Sequence, residues 1–195
     1  MAVQNSPGRT EAKISRLKRE IAQIDELFYE TTKDHDRDLY AGMLERKRDD
    51  VVRATVLQMH TSIEDLLNAQ ITCTVLGLKP EDRPGKRRSK SALAIRKMLY
   101  GAGSIGFDMK LNFAVALGVL NIRTKERLME LNTLRNKCSH NWLLKAPVRR
   151  GKRPKQKKPP LLLYKGRDLH TIAALKEFTS EYGPIYYRLF LKYLG

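Results

Sequence analysis

The sequence predicts an all-α fold, an antiparallel helical bundle with an N-terminal helical arm. Two observations carry this: apolar residues recur every three or four positions along most of the chain, and helix-stop residues such as Gly77 and Pro80 separate those stretches. One short apolar run, Leu161 to Tyr164, departs from that rhythm and reads as an extended segment. No internal repeat of fixed period is visible. At 195 residues and 42% hydrophobic, the chain is long enough to bury one sizeable core. The expected organisation is an arm over residues 1–43 and one helical domain over 44–195.

Each element has its own signal. Ile14, Leu17, Ile21, Ile24 and Phe28 form a narrow heptad stripe that predicts a helix over about residues 10–32. The polar stretch from Thr31 to Asp38 reads as a turn or an exposed continuation. Val52, Val56, Met59, Ile63 and Leu66 place one apolar face on a long helix from about Leu44 to Leu76. Ser89 to Tyr100 and Asp108 to Leu117 follow as shorter helices. Lys125 to about Asn141 is the next, buried through Leu128, Leu131, Leu134 and Cys138, with Trp142 as a further candidate. Asp168 is placed to cap the last helix, which carries Leu175, Phe178, Ile185, Leu189 and Leu194. Gly183-Pro184 is expected to kink or break it, because Pro lacks a backbone donor and clashes one turn back.

Charge is distributed unevenly. The formal net charge is +17, and residues 83–97 hold seven Lys or Arg while 145–158 hold eight, with no acid in either. Outside them, 23 basic and 21 acidic residues nearly balance. Both clusters contain Pro and Gly, as expected of basic loops (80–90 and 145–160) whose cations track a phosphate backbone. Arg87, Arg88, Lys90, Arg149, Arg150, Lys152 and Arg153 are the candidate RNA-binding residues. A solvated loop that only aids solubility is the bland alternative.

Several classes are disfavoured. No run of eighteen apolar residues exists and the N-terminus lacks a secretory design, so a cytoplasmic protein with no membrane partner is expected. Cys73 and Cys138 lie in helical patterns without metal-ligand spacing, which predicts buried reduced thiols and no metal site. Gly101-Ala-Gly103-Ser-Ile-Gly106 matches a dinucleotide-binding pattern, but no strand precedes it, so it reads as a turn between helices. No cofactor is expected. Arg53, His60 and Glu64 share one helical face and read as a surface salt-bridge row, with His60 near a possible site.

The richest segment is residues 131–142, Leu-Asn-Thr-Leu-Arg-Asn-Lys-Cys-Ser-His-Asn-Trp. Arg135 offers a permanently charged planar fork for phosphate, and His140 can exchange a proton near neutral pH. Asn136 and His140 are four apart and share a face away from the Leu131, Leu134, Cys138 stripe, whereas Arg135 projects roughly 140° from His140 on an ideal helix. A symmetric dimer would let a second copy complete the pair. With RNA as the first partner to test, these residues form the candidate site.

Leu134-Arg135-Asn136-Lys-Cys-Ser-His140 at a helix end, approached by Phe107, Lys110 and Ala116 to Gly118, resembles the HEPN superfamily of all-α nucleotide-binding domains. The resemblance spans about residues 44–194 and leaves the arm outside. It implies a homodimeric, metal-independent endoribonuclease with Arg135 and His140 from both chains lining one cleft. It also implies an acidic residue on the preceding long helix supporting the Arg; Glu64 matches best and Asp65 next. Ser139 stands where such families commonly carry Ala. His140 would be the general acid or base for attack of a ribose 2′-hydroxyl, Arg135 would stabilise phosphoryl charge, and Asn136 would orient His140 or donate to phosphate. The setting implied is that of toxins held by an antitoxin or regulatory protein, or of defence proteins. Two readings stand beside it: a non-catalytic RNA-binding module, and a regulator resembling mannitol-repressor-like relatives. No helix-turn-helix supports the latter through DNA.

Overall fold

A computed structural model describes residues 11–12, 15–23, 26, 37–78, 90–101, 103–142 and 162–194. The chain divides into two compact units, Met1–Arg48 and Asp49–Gly195. The expected division at 43/44 lies within the same long helix as this one. Residues 15–23 of the first unit are helical and exposed (α1). The described helices then run α2 (Arg37–Leu76), α3 (Lys90–Tyr100), α4 (Phe107–Ala116), α5 (Ile122–Trp142) and α6 (Ile172–Leu194). Between the last two lies a hairpin, β1 (Leu163–Tyr164) and β2 (Arg167–Asp168). The described residues are therefore all-α apart from this two-stranded ribbon.

Along the second unit, α2 turns inward Asp49, Val52, Arg53, Val56, His60, Ile63, Leu67 and Ile71, at spacings of one, three and four residues. Met59 and Leu66 of the expected stripe are only half-buried, so the inward face is rotated slightly from the apolar one. α2 ends where Gly77 takes φ 61°, a left-handed value that costs a residue without Cβ little, and Leu78 N–H closes on the Cys73 carbonyl at 2.9 Å. The glycines of residues 101–106 do form the expected turn: it joins α3 to α4, with Ile105 N–H bonding the Met98 carbonyl at 3.0 Å.

α4 and α5 are joined by a tight reversal in which Gly118 (φ 70°) follows the helix end and Val119 N–H returns to the Ala114 carbonyl at 2.8 Å. Asn121 caps α5 through Thr124 N–H at 2.8 Å. The buried stripe of α5 is Leu128, Leu131, Leu134 and Cys138, as its spacing predicts. Leu162 and Tyr164 are buried while Leu163 is exposed, the alternation of a strand. Lys165 and Gly166 both have positive φ (48° and 75°), which matches the right-handed twist of a two-residue hairpin loop.

Two expectations are corrected in α6. Asp168 does not cap it; Thr171 does, its Oγ1 accepting from Ala174 N–H at 3.3 Å, while Asp168 turns to His170. Nor does Pro184 break the helix, which is continuous from Ile172 to Leu194. Pro184 is exposed while Tyr182, Ile185 and Leu189 beside it are buried, so packing on that face outweighs the missing backbone bond. Tyr164, Phe178 and Tyr182 form an aromatic cluster with centroids 4.9 to 6.1 Å apart, which seats the hairpin on α6. Polar ties join the helices: Gln70 Nε2 donates to the Leu189 carbonyl at 3.2 Å, and Tyr182 Oη to the Arg127 carbonyl at 3.1 Å.

Candidate functional site

Two polar contacts, one buried and one part-buried, set α5 against α2. His60 meets Asn132, and Arg53 meets the Cys138 carbonyl, so numbers fall along α2 as they rise along α5 and the two helices run antiparallel. Arg135 and Asn136 lie between these ties. Arg135 is exposed, and its Nη1 donates to Asn136 Oδ1 at 3.0 Å. Ser139 Oγ donates back to the Arg135 carbonyl at 3.1 Å. His140 stands in the last turn of α5; its side chain lies outside the described residues.

On the α2 side, His60 is 3% exposed and its ring packs 4.3 Å from that of Phe107. The amide orientation of Asn132 is set by Asp108, whose Oδ1 accepts from Asn132 Nδ2 at 3.0 Å. Asn132 Oδ1 thus faces His60 Nε2 at 3.2 Å as an acceptor, so Nε2 carries the hydrogen. Nδ1 then looks toward the Glu64 carboxylate, 3.7 Å away. Burial pushes the His60 pKa down; Glu64 opposes that, while the charges of Arg135 and Lys110 reinforce it. The imidazole is therefore neutral near pH 7. Lys110 of α4, 3% exposed, donates to Glu64 Oε1 at 2.5 Å.

The expected surface row of Arg53, His60 and Glu64 is corrected. Arg53 and His60 are buried, each bonded to α5, and Glu64 is half-buried against Lys110. Charged and polar residues alone on a helix face read as solvated, but here the facing helices supply their partners. Glu64, expected to support Arg135, has Lys110 and His60 as its described partners instead. The oxygen beside Arg135 comes from Asn136. Asp65 lends its backbone carbonyl to Tyr100 Oη at 3.4 Å.

Among the candidate RNA-binding residues, Lys90 begins α3 and is exposed. Arg87, Arg88, Arg149, Arg150, Lys152 and Arg153 lie outside the described residues. Sequence reasoning missed Asn132, Asp108 and Lys110 as neighbours of the site. Asn132 had a signal, since Asn132, Asn136 and His140 repeat every four residues along α5. Lys110 was named only as part of the stretch leading to the motif; its burial had no signal, because it depends on Glu64 from a distant helix.

Among the described residues no group of His, Cys, Asp and Glu can hold a metal ion, and no helix is long and apolar enough to cross a membrane. Cys138 is buried and Cys73 half-buried, and burial pushes both thiols above their usual pKa. Compared with known proteins, the chain matches no family model, no curated protein and no solved structure. The resemblance therefore rests on residues 134–140 and the order of the helices.

Proposed function

We propose that the chain is a metal-independent endoribonuclease of HEPN type, with His140 as general acid or base and Arg135 stabilising the phosphate under attack. The observation that carries this reading is Arg135 itself. It is exposed, and among the described residues its guanidinium is engaged by the neutral amide of Asn136 rather than by a carboxylate, which leaves its full charge for an anion. The +17 net charge favours a polyanion as the bearer of that phosphate. Asn136 places its amide one turn before His140, where it can orient the imidazole or donate to a phosphoryl oxygen. A homodimer would bring the His140 of one copy to the Arg135 of the other, and a regulatory protein such as an antitoxin would restrain the site.

The chemistry is attack of a ribose 2′-hydroxyl on the adjacent phosphate: the O–P bond forms as the 5′-oxygen leaves, the 2′ proton passes to a base and the leaving oxygen takes one from an acid. The products carry a cyclic phosphate and a 5′-hydroxyl, and DNA, lacking the nucleophile, is not cut. The test is incubation of wild-type and His140→Ala protein with total RNA in EDTA. Cleavage by the wild type alone, with cyclic phosphate ends, is expected; equal cleavage by both proteins sinks the assignment. The two basic segments favour, as a second reading, RNA binding without cleavage, which predicts a salt-sensitive shift that survives His140→Ala.

A further inference from the structure

Arg53 is the only buried arginine among the described residues, at 5% exposure, in an inward stripe whose neighbours Val52 and Val56 are apolar. Its fork is divided between two acceptors. Nε donates to Asp49 Oδ2 at 2.7 Å, and Nη1 reaches across to the Cys138 carbonyl at 3.0 Å. The other oxygen of Asp49 faces His170 Nε2 at 2.9 Å, and His170 Nδ1 lies 2.7 Å from Asp168 Oδ1, which also accepts His170 N–H at 3.1 Å. Burial alone would raise the Asp49 pKa, but the hydrogen bonds from Arg53 and His170 outweigh it and hold the carboxyl below its usual range.

Such a network is a weak source of stability, since removing ions from water costs several kcal/mol each and an apolar side chain in the same stripe commonly does as well. An apolar side chain could not, however, hold a carbonyl of α5. Cys138 is two residues before His140 and four before the helix end at Trp142, where orphan carbonyls make the backbone free to fray and a cation is favoured. We propose that Arg53 is a positioning residue for the His140 turn. It fixes the peptide of Cys138 and is itself aimed by Asp49, which His170 and Asp168 brace from the far side. The inference rests on the reading of His140 as a functional group, and Arg53 acts on it through the helix backbone, at the Cys138 carbonyl. It also gives the buried ion pair a reason: a misplacement of about 1 Å at a reacting group costs on the order of 100-fold in rate.

The experiment is a comparison of histidine Cε1–H resonances in the full-length protein, histidine-labelled, as wild type, Arg53→Lys and Asp49→Asn, with His140 assigned by its loss in His140→Gln. Lysine keeps the charge but as a single point cannot serve both acceptors, and asparagine keeps the shape of Asp49 without its charge. In each folded variant the His140 resonance and its titration midpoint should move while those of His60 stay. On RNA, kcat should fall about tenfold or more with KM unchanged. An unmoved His140 resonance in a folded variant overturns the proposal, as does a variant that raises KM alone. A wild-type protein that cuts no RNA refutes the nuclease reading instead, and the resonances still decide this one.

Discussion

Acidification should weaken the fold through His60. In the unfolded chain this histidine titrates near 6.5, whereas in the fold burial and the charges of Arg135 and Lys110 hold its pKa lower, against the pull of Glu64. The folded state thus binds fewer protons just below pH 6.5. Stability is complete above that value, falls as the unfolded chain takes up its proton, and levels off below the folded pKa. One proton bounds the slope at about 1.4 kcal/mol per pH unit. The slope reaches that bound only where the unfolded imidazole is protonated and the folded one is not, and the pull of Glu64, which opposes the depression, makes it shallower. Urea unfolding of wild type and His60→Gln from about pH 8 to about pH 5 reads this directly, since Gln keeps a donor for Asn132 but does not titrate. At the alkaline end the variant should be less stable by about 1–2 kcal/mol, from the lost ring contact with Phe107. That gap should narrow as pH falls. Parallel curves would refute a depressed His60. A gap that widens in acid would mean that Glu64 governs the imidazole and raises its pKa.

Two further outcomes test the packing. Phe178→Ala empties a fully buried site between Tyr164 and Tyr182 and should cost about 3–5 kcal/mol in urea unfolding; a loss under about 1 kcal/mol would mean that the hairpin is not seated on α6 as described. Pro184→Ala restores a backbone donor inside α6 at an exposed position, so a gain of about 2 kcal/mol is expected after allowing for the looser unfolded chain. A destabilised variant would show that the proline ring makes a contact the helix needs.

Much of the helical layout was legible because burial in α5 is apolar and evenly spaced: Leu128, Leu131, Leu134 and Cys138 were predicted to be inside and are. α2 was read less well, for a definite reason. Three of its inward positions are Asp49, Arg53 and His60, and a charged residue in a sequence carries no mark of whether a partner waits across the core. The same blindness put Asp168 at a helix cap and Glu64 beside Arg135, when Asp168 braces His170 and Glu64 pairs with Lys110.

The sequence by itself determined the local facts: helix after helix, the helix stop at Gly77 and the turn over residues 101–106, the excess of cations in two segments and the placing of Arg135, Asn136 and His140 along one helix. Periodicity and turn chemistry act over a few residues, so they can be read from neighbours alone. Only the tertiary structure decided what those residues face. It brought Arg53 to Cys138 across 85 positions and His170 to Asp49 across 121. It also surrounded a neutral, buried His60 with Asn132 and Glu64. A buried ion is tolerable only with its partner in place, and which partner that is depends on the packing of helices far apart in the chain.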